Sequence, residues 1–398
     1  MSDLFVALPP ATKNAVIFGK NANLPPDHVQ QVIYCAAADH TPGSKVKTTN
    51  VEIDQAPHTH AVILSQSGGS WGAEMGANDQ GVCAGYTTVC TKVSATGNNA
   101  PTPADLTRLI LERSESAKNG VEIMTSLIDQ YGQGGKFKTD VSVNYCGSFL
   151  IADKFEAWVV ECAGIFWVAK QIKDGTYNIS SCLSISTDYD MASSDLQDNS
   201  VTLGHWSADK GPVNFMVAFG VEFPSGLSAP DPIVRRRTGC DLLNNSADQE
   251  SFSVMNMFDI LRNKGINMNS QLITTGSHVS VLSSVGLPDC HWITGTPDPS
   301  LSVFKPFIFS DNADIGDITY SLSSDNKRHV LFKYHEKARD LMSGGSQSGA
   351  ALLQLMRNLE ETCVSEMEEF CQKFSPENMS DVEELFKDIC ESEVKFYL

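Results

Sequence analysis

The stretch "MSDLFVALPPATKNAVIFGKN", residues 1–21, sets the fold. "FVAL" reads as a short strand, "PPATKNA" as a turn, and "VIFGKN" as a second strand. A strand so close to the N-terminus, paired with a near neighbour, is a place to display an N-terminal nucleophile. Yet no Cys or Thr stands there, and the residue before Phe5 is Leu4.

Working outward, strand-like segments continue to about residue 90: "VQQVIYCAA", "KVKTTNVEI", "HAVILSQS" and "GVCAGYTTV". A helix is expected in "DLTRLILERS" with Asp105 as its N-cap, then a second from Ala117 to Tyr131, stopped by the glycines of "YGQGG". "SFLIAD" and "EAWVVECA" read as paired strands around the turn at Asp153–Phe155, and "FWVAKQI" extends the series. Residues 184–251 give no clear pattern. A helix in "SFSVMNMFDILRNKG" precedes strands in "HVSVLSS", "CHWITGTP" and "SVFKPFIF". From Asn326 onward the chain reads as helical, interrupted by "SGGSQSG" and rich in acid. Strands, helices, strands and later helices predict stacked sheets with helices outside, an α+β layered fold.

The chain has 398 residues, is 41% hydrophobic and carries a net charge of −19. That charge opposes nucleic acid and anionic membrane surfaces as main partners. No run approaches the ~18 apolar residues of a membrane span. Met1 to Phe5 has neither a basic start nor an apolar run, so a cytoplasmic location is expected. The 11 Cys contain no Cys-x-x-Cys pair and read as reduced thiols, with neither a zinc site nor a cofactor motif.

Several stretches can carry chemistry. In "WGAEMGANDQGVCAG" (71–85), Asn78 can present an amide N–H to a developing oxyanion, or simply form an Asn-Asp turn. "GKNAN" offers Lys20 and Asn23, but the phosphate-loop spacing is absent. "GTPDPSLSVFKPF" places Lys305 in a strand-like run that either lines a ligand cleft or makes a rigid corner. His58 and His60 share a strand face with no third ligand. "IVRRR" (Arg235 to Arg237) can grip a carboxylate or phosphate, or serve as a surface basic patch.

Taken together, "FVALPP", "VIFGKN", "AADHTPGSKV", "WGAEMGANDQGVC", "YGQGG", "TGTPDPSLSVFKPFIF" and "HEKAR" resemble the secernins of peptidase family C69, cysteine dipeptidases with the N-terminal nucleophile hydrolase fold. The resemblance implies a four-layer αββα sandwich over residues 1–325, with residues 326–398 as an acidic helical segment packing on or extending it. It also implies a cytosolic protein linked to regulated exocytosis, with a small peptide or amino-acid-like ligand and a protein partner in the secretory machinery.

Carried over position by position, the family's nucleophilic Cys falls on Leu4. Its basic residue falls on Lys20 and its supporting Asp on Asn23, while the oxyanion donor falls on Asn78. An Asn-Glu pair is replaced by Tyr86-Thr87, and a second Asn by Ser181. Tyr86 and Lys305 are expected to contact ligand. With Leu4 at the nucleophile position, impaired catalysis and action by binding are expected. The alternative is an active serine- or cysteine-type dipeptidase using Ser2, exposed by removal of Met1, or a thiol such as Cys35 or Cys83. Two residues of strand would place Ser2 about 6–7 Å from the Leu4 position, against the ~3–3.5 Å that attack needs, so Ser2 would miss the Asn78 donor unless the strand slipped.

Overall fold

The computed structural model describes residues 1–93, 95, 97, 99–134, 145–221, 231–247, 251–321 and 327–398. Strands β1 (Ser2–Ala7) and β2 (Ala15–Leu24) form the N-terminal hairpin, followed by β3 (Gln30–Cys35). Two short ribbons come next: β4 (Ala38–Asp39) with β7 (His58–Thr59), and β5 (Lys45–Lys47) with β6 (Glu52–Asp54). Strands β8 (Val62–Ser67), β9 (Met75–Asn78) and β10 (Cys83–Cys90) precede helices α1 (Pro103–Arg113) and α2 (Ala117–Tyr131). Then come β11 (Tyr145–Ala152), β12 (Ala157–Ala163), β13 (Phe166–Ile172), β14 (Thr176–Ile179) and β15 (Met191–Ala192). Helices α3 (Leu196–Thr202), α4 (Phe215–Phe219), α5 (Pro232–Ser246) and α6 (Val254–Arg262) lead to β16 (Ile273–Ser283), β17 (Cys290–Ile293) and β18 (Lys305–Phe307). Helices α7 (Val330–Ser343), α8 (Gln347–Gln372) and α9 (Leu385–Phe396) come last.

Two antiparallel sheets dominate. One runs β14-β1-β2-β16-β17-β18, and the other β15-β13-β12-β11-β10-β9-β8-β3. A core that includes Leu4, Val6, Phe18, Ile63, Ala84 and Phe149 joins their facing surfaces. Helices α1 and α2 cover the second sheet, while α5, α6 and α8 cover the first through Phe5, Ile17, Leu243, Phe258 and Val364. The layers are αββα, so the α+β expectation holds. Both central hairpin strands are buried on both faces, which is why "FVAL" and "VIF" read as continuous apolar runs.

Local expectations fare differently. Helix α2 has the bounds read from sequence, and Gly132 ends it at φ 74°, a conformation glycine adopts without a Cβ penalty. Asp105, however, is not the N-cap of α1. Thr102 holds that place, with Pro103 at the first helical position. Asp105 completes a capping box, its carboxylate accepting from the Thr102 N–H at 2.9 Å while its own N–H donates to Thr102 Oγ1 at 3.1 Å.

Helix α5 was not legible. Its buried positions, Pro232, Arg235, Gly239 and Leu243, follow helical spacing, but only Leu243 is a large apolar side chain. No helix among the described residues is long and apolar enough to cross a membrane.

Candidate functional site

Alternation along β1 sorts its side chains between two environments. Leu4 and Val6 enter the core between the sheets, and Phe5 and Ala7 enter the core under α5 and α6. Leu4 is fully buried opposite Lys20. Across the interface lies Gly85, where a Cβ would come within 3.1 Å of Leu4 Cδ2 and 2.8 Å of Lys20 Cδ. The two sheets touch closely here because residue 85 has no side chain. Leu4 is thus a core residue, its apolar side chain filling the space between Lys20 and Gly85.

The polar convergence lies one alternation earlier, at Ser2. The Ser2 N–H donates to Thr87 Oγ1 at 3.0 Å and to Ser181 Oγ at 3.2 Å. Thr87 Oγ1 is also within hydrogen-bond distance of Ser2 O (3.0 Å) and of Ser181 Oγ (2.8 Å). The Asn23 backbone N–H points to Ser2 Oγ at 3.4 Å, and the Met1 amine donates to Asn23 O at 3.2 Å. Burial lowers that amine from 8.0 to about 5, helped by nearby Arg235 and Lys20 and opposed by Glu74. Strand β1, strand β10 and the segment after β14 therefore bring Ser2, Thr87 and Ser181 together. Sequence reasoning had noted Thr87 only as a departure from a family pattern.

On the other face of β1, Asp3 pairs with the buried Arg235 of α5 through Nη2 and Nε. Ser180 Oγ donates to Asp3 Oδ1 at 2.7 Å and Asn23 Nδ2 to Asp3 Oδ2 at 3.2 Å, while Thr274 Oγ1 donates to Asn23 Oδ1 at 2.7 Å. Arg235 is consequently no surface patch. It grips a carboxylate of its own chain and fixes α5 against β1. Asn23 is neutral beside this pair, and a second carboxylate there would face Asp3 over a single guanidinium.

Lys20 is fully buried. Its ammonium bonds the Glu74 carbonyl and lies 3.3 Å from Glu74 Oε2 and 4.8 Å from the Tyr86 ring centroid. Burial lowers it from 10.5 to about 8, against the pull of Glu74. Tyr86 donates to Glu74 Oε1 at 2.7 Å, and burial with that carboxylate pushes its phenol well up. Tyr86 is thus a buried partner of Glu74 and is not among the residues lining the cleft at Ser181.

Asn78 and Lys305 lie elsewhere. Both N–H groups of Asn78 donate at 2.8 Å to carbonyls at the end of α1, Leu111 and Ser114, and its Oδ1 accepts from the N–H groups of Gln80 and Val82. Its donors are committed to holding the helix on the sheet, a different use from an oxyanion hole. Lys305, fully buried, donates to Glu393 Oε2 at 2.6 Å and Val303 O at 2.8 Å; Tyr397 and His335 extend the chain of bonds. It locks α9 onto β18. Cys83 is buried with its thiol pushed well up, and Cys35 is raised by burial, so neither is an activated thiol.

A cleft of about 900 Å³ opens at Ser181. Cys90, Ser181, Cys182 and Leu183 form one part, α5 supplies Ile233, Arg236 and Arg237, and Met216 and Val217 of α4 face it. Ser181 therefore connects the Ser2 cluster to an open, mainly apolar space.

A layered α+β sandwich with its first strand buried and a hydroxyl cluster at that strand's start defines the class. Among known families, residues 26–220 match the model of Peptidase family C69. Among solved structures, it is similar to a mutant conjugated bile acid hydrolase from Clostridium perfringens. That match has 12% identity and a TM-score of 0.46, covering 78% of this chain and 97% of that one. It is also similar to penicillin V acylase from Agrobacterium tumefaciens, at 10% identity and TM-score 0.42, covering 82% and 89%.

Proposed function

We propose that this chain is an amide hydrolase for small peptide or amino-acid-like substrates, with Ser2 as its nucleophile once removal of what precedes it frees the Ser2 amine. One observation carries the reading: the Ser2 nitrogen is held by Thr87 and Ser181, and Ser181 borders the open cleft. Both hydroxyls lie where they can accept from the freed amine and orient it as base for its own Oγ. That oxygen attacks the amide carbonyl carbon and its proton passes to the amine. The C–N bond then breaks, the leaving amine takes the proton, and water hydrolyses the acyl ester. A reducing, cytoplasmic setting fits 11 free thiols. Removing Met1 also vacates the space its amine fills beside Asn23.

A second reading keeps the fold and loses the chemistry, leaving a binding protein with a role in exocytosis. It draws on Lys20, whose charge is bound to Glu74, and on the neutral Asn23, so that the side chains bonded to Ser2 are hydroxyls.

The test is dipeptide hydrolysis by chain whose N-terminal residue has been determined by mass spectrometry. Turnover by chain beginning at Ser2, abolished in Ser2→Ala, supports the first reading. Ligand binding without turnover supports the second.

A further inference from the structure

Arg236 differs from the cations that are paired with a carboxylate in the interior. Arg235 has Asp3, Lys20 has Glu74 and Lys305 has Glu393. Arg236, half-buried on the cleft wall, has no carboxylate within ion-pair distance among the described residues. Its Nε is buried without a hydrogen-bond partner, and its guanidinium lies 5.7 Å from the Tyr177 ring centroid. The Asn178 side chain donates to the Arg236 carbonyl at 2.8 Å and so ties this turn of α5 to β14.

The buried Glu161 acts on Arg236 beyond ion-pair distance, its carboxylate being engaged by the Ser184 and Ile185 N–H groups. Desolvating a guanidinium without a directly paired anion is unfavourable, and a fork of parallel N–H donors suits a carboxylate. Around it the cleft holds Lys92, Arg236 and Arg237 against Asp241, three cations to one anion in a chain of net charge −19. Lys92 already donates to the carbonyls of Val217 and Ala218, at 2.9 and 3.1 Å. Arg237 is exposed. That leaves Arg236 as the half-buried cation available to a ligand. The neighbouring surface is apolar: Ile233, Met216 and Val217 are 56%, 42% and 55% exposed.

We infer that Arg236 is a carboxylate anchor, and that the cleft selects small ligands with an apolar body and a terminal carboxylate over the matching neutral amides. As a substrate preference this rests on the proposed hydrolysis; as a binding preference it stands alone. It therefore concerns which end of an amide substrate is recognised, the end remote from Ser2.

The test measures binding in the full chain carrying Ser2→Ala, so that no turnover intervenes. N-acetyl-leucine and N-acetyl-leucinamide are titrated by calorimetry against that chain, with and without Arg236→Gln, Arg236→Lys or Arg237→Gln, each checked for an unchanged melting curve. The acid is expected to bind about tenfold tighter than the amide. Arg236→Gln erases the difference, Arg236→Lys keeps part of it, and Arg237→Gln leaves it in place. Should Arg236→Gln melt early, the Arg236→Lys measurement decides. Equal affinity for acid and amide, a preference that survives Arg236→Gln, or binding of neither probe at millimolar concentration would overturn the inference. None of these outcomes depends on whether Ser2 is a nucleophile.

Discussion

Two regions of this molecule bury a lysine against a glutamate, and they serve different ends. Lys20 and Glu74 bridge the two sheets beside the start of β1, where Ser2, Thr87 and Ser181 meet near the cleft. Lys305 and Glu393 join a short strand to the last helix, with Tyr397 and His335 completing the network. From sequence, Lys20 fell on the family's basic site residue and Lys305 in a strand-like run able to line a ligand cleft. The structure separates them by what surrounds the pair. A buried charge pair marks a site only where uncommitted polar groups and open space adjoin it.

Breaking the second region should have the largest effect on stability. Lys305→Met leaves Glu393 buried without its cation, and should cost about 3–5 kcal/mol in denaturant unfolding. Hydrolysis by the fraction still folded should be unchanged. Loss of activity without loss of stability would show that Lys305 does belong to the site.

Leu4→Ala should cost about 2–5 kcal/mol, as expected for a leucine deleted from a closed core. A cost under about 0.5 kcal/mol would contradict the packing of Leu4 against Gly85. Ser2→Ala should change stability by only about 1 kcal/mol, since the bonds from its backbone nitrogen remain.

The two regions should also separate by pH. His335 is buried, with Lys305 nearby, and its pKa falls from 6.5 to about 3. The unfolded chain therefore binds more protons between those values, and stability falls as pH drops from 6.5 toward 3. Lys20 falls from 10.5 to about 8, so stability rises as pH climbs through that upper window. Melting curves across pH should show His335→Gln flattening the acid slope and Lys20→Met the alkaline one. Slopes unchanged in both variants would contradict the burial of these groups.

Much of the scaffold was legible because its elements announce themselves locally. The β1–β2 hairpin, the bounds of α2 and the strands β11 to β13 follow from apolar runs stopped by glycine, proline or aspartate. The site was legible only in part. Leu4 and Ser2 lie two residues apart on one strand face, and nothing local says which reaches the end of the sandwich. That is set by packing against β10 of the facing sheet, about 85 residues on. Asn78 looked available because its acceptors, Leu111 and Ser114, lie beyond the next helix start. Arg235 and Arg236 were legible as part of a basic run able to grip an anion but not as part of a helix, since the buried stripe of α5 includes proline, arginine and glycine. The adjacent Ser2–Asp3 pair was the usable signal: a hydroxyl for one face of a buried strand and a carboxylate for the other.

The central claim is that the reactive position is Ser2 and that Leu4 is core. The most direct measurement compares Ser2→Cys and Leu4→Cys in chain beginning at residue 2, assayed for dipeptide hydrolysis and for an acyl adduct by peptide mass spectrometry. The account predicts turnover and an adduct on residue 2 for Ser2→Cys, and no gain and no adduct on residue 4 for Leu4→Cys. Turnover with an adduct on residue 4, or a Ser2→Cys chain that is folded and inert, would contradict it.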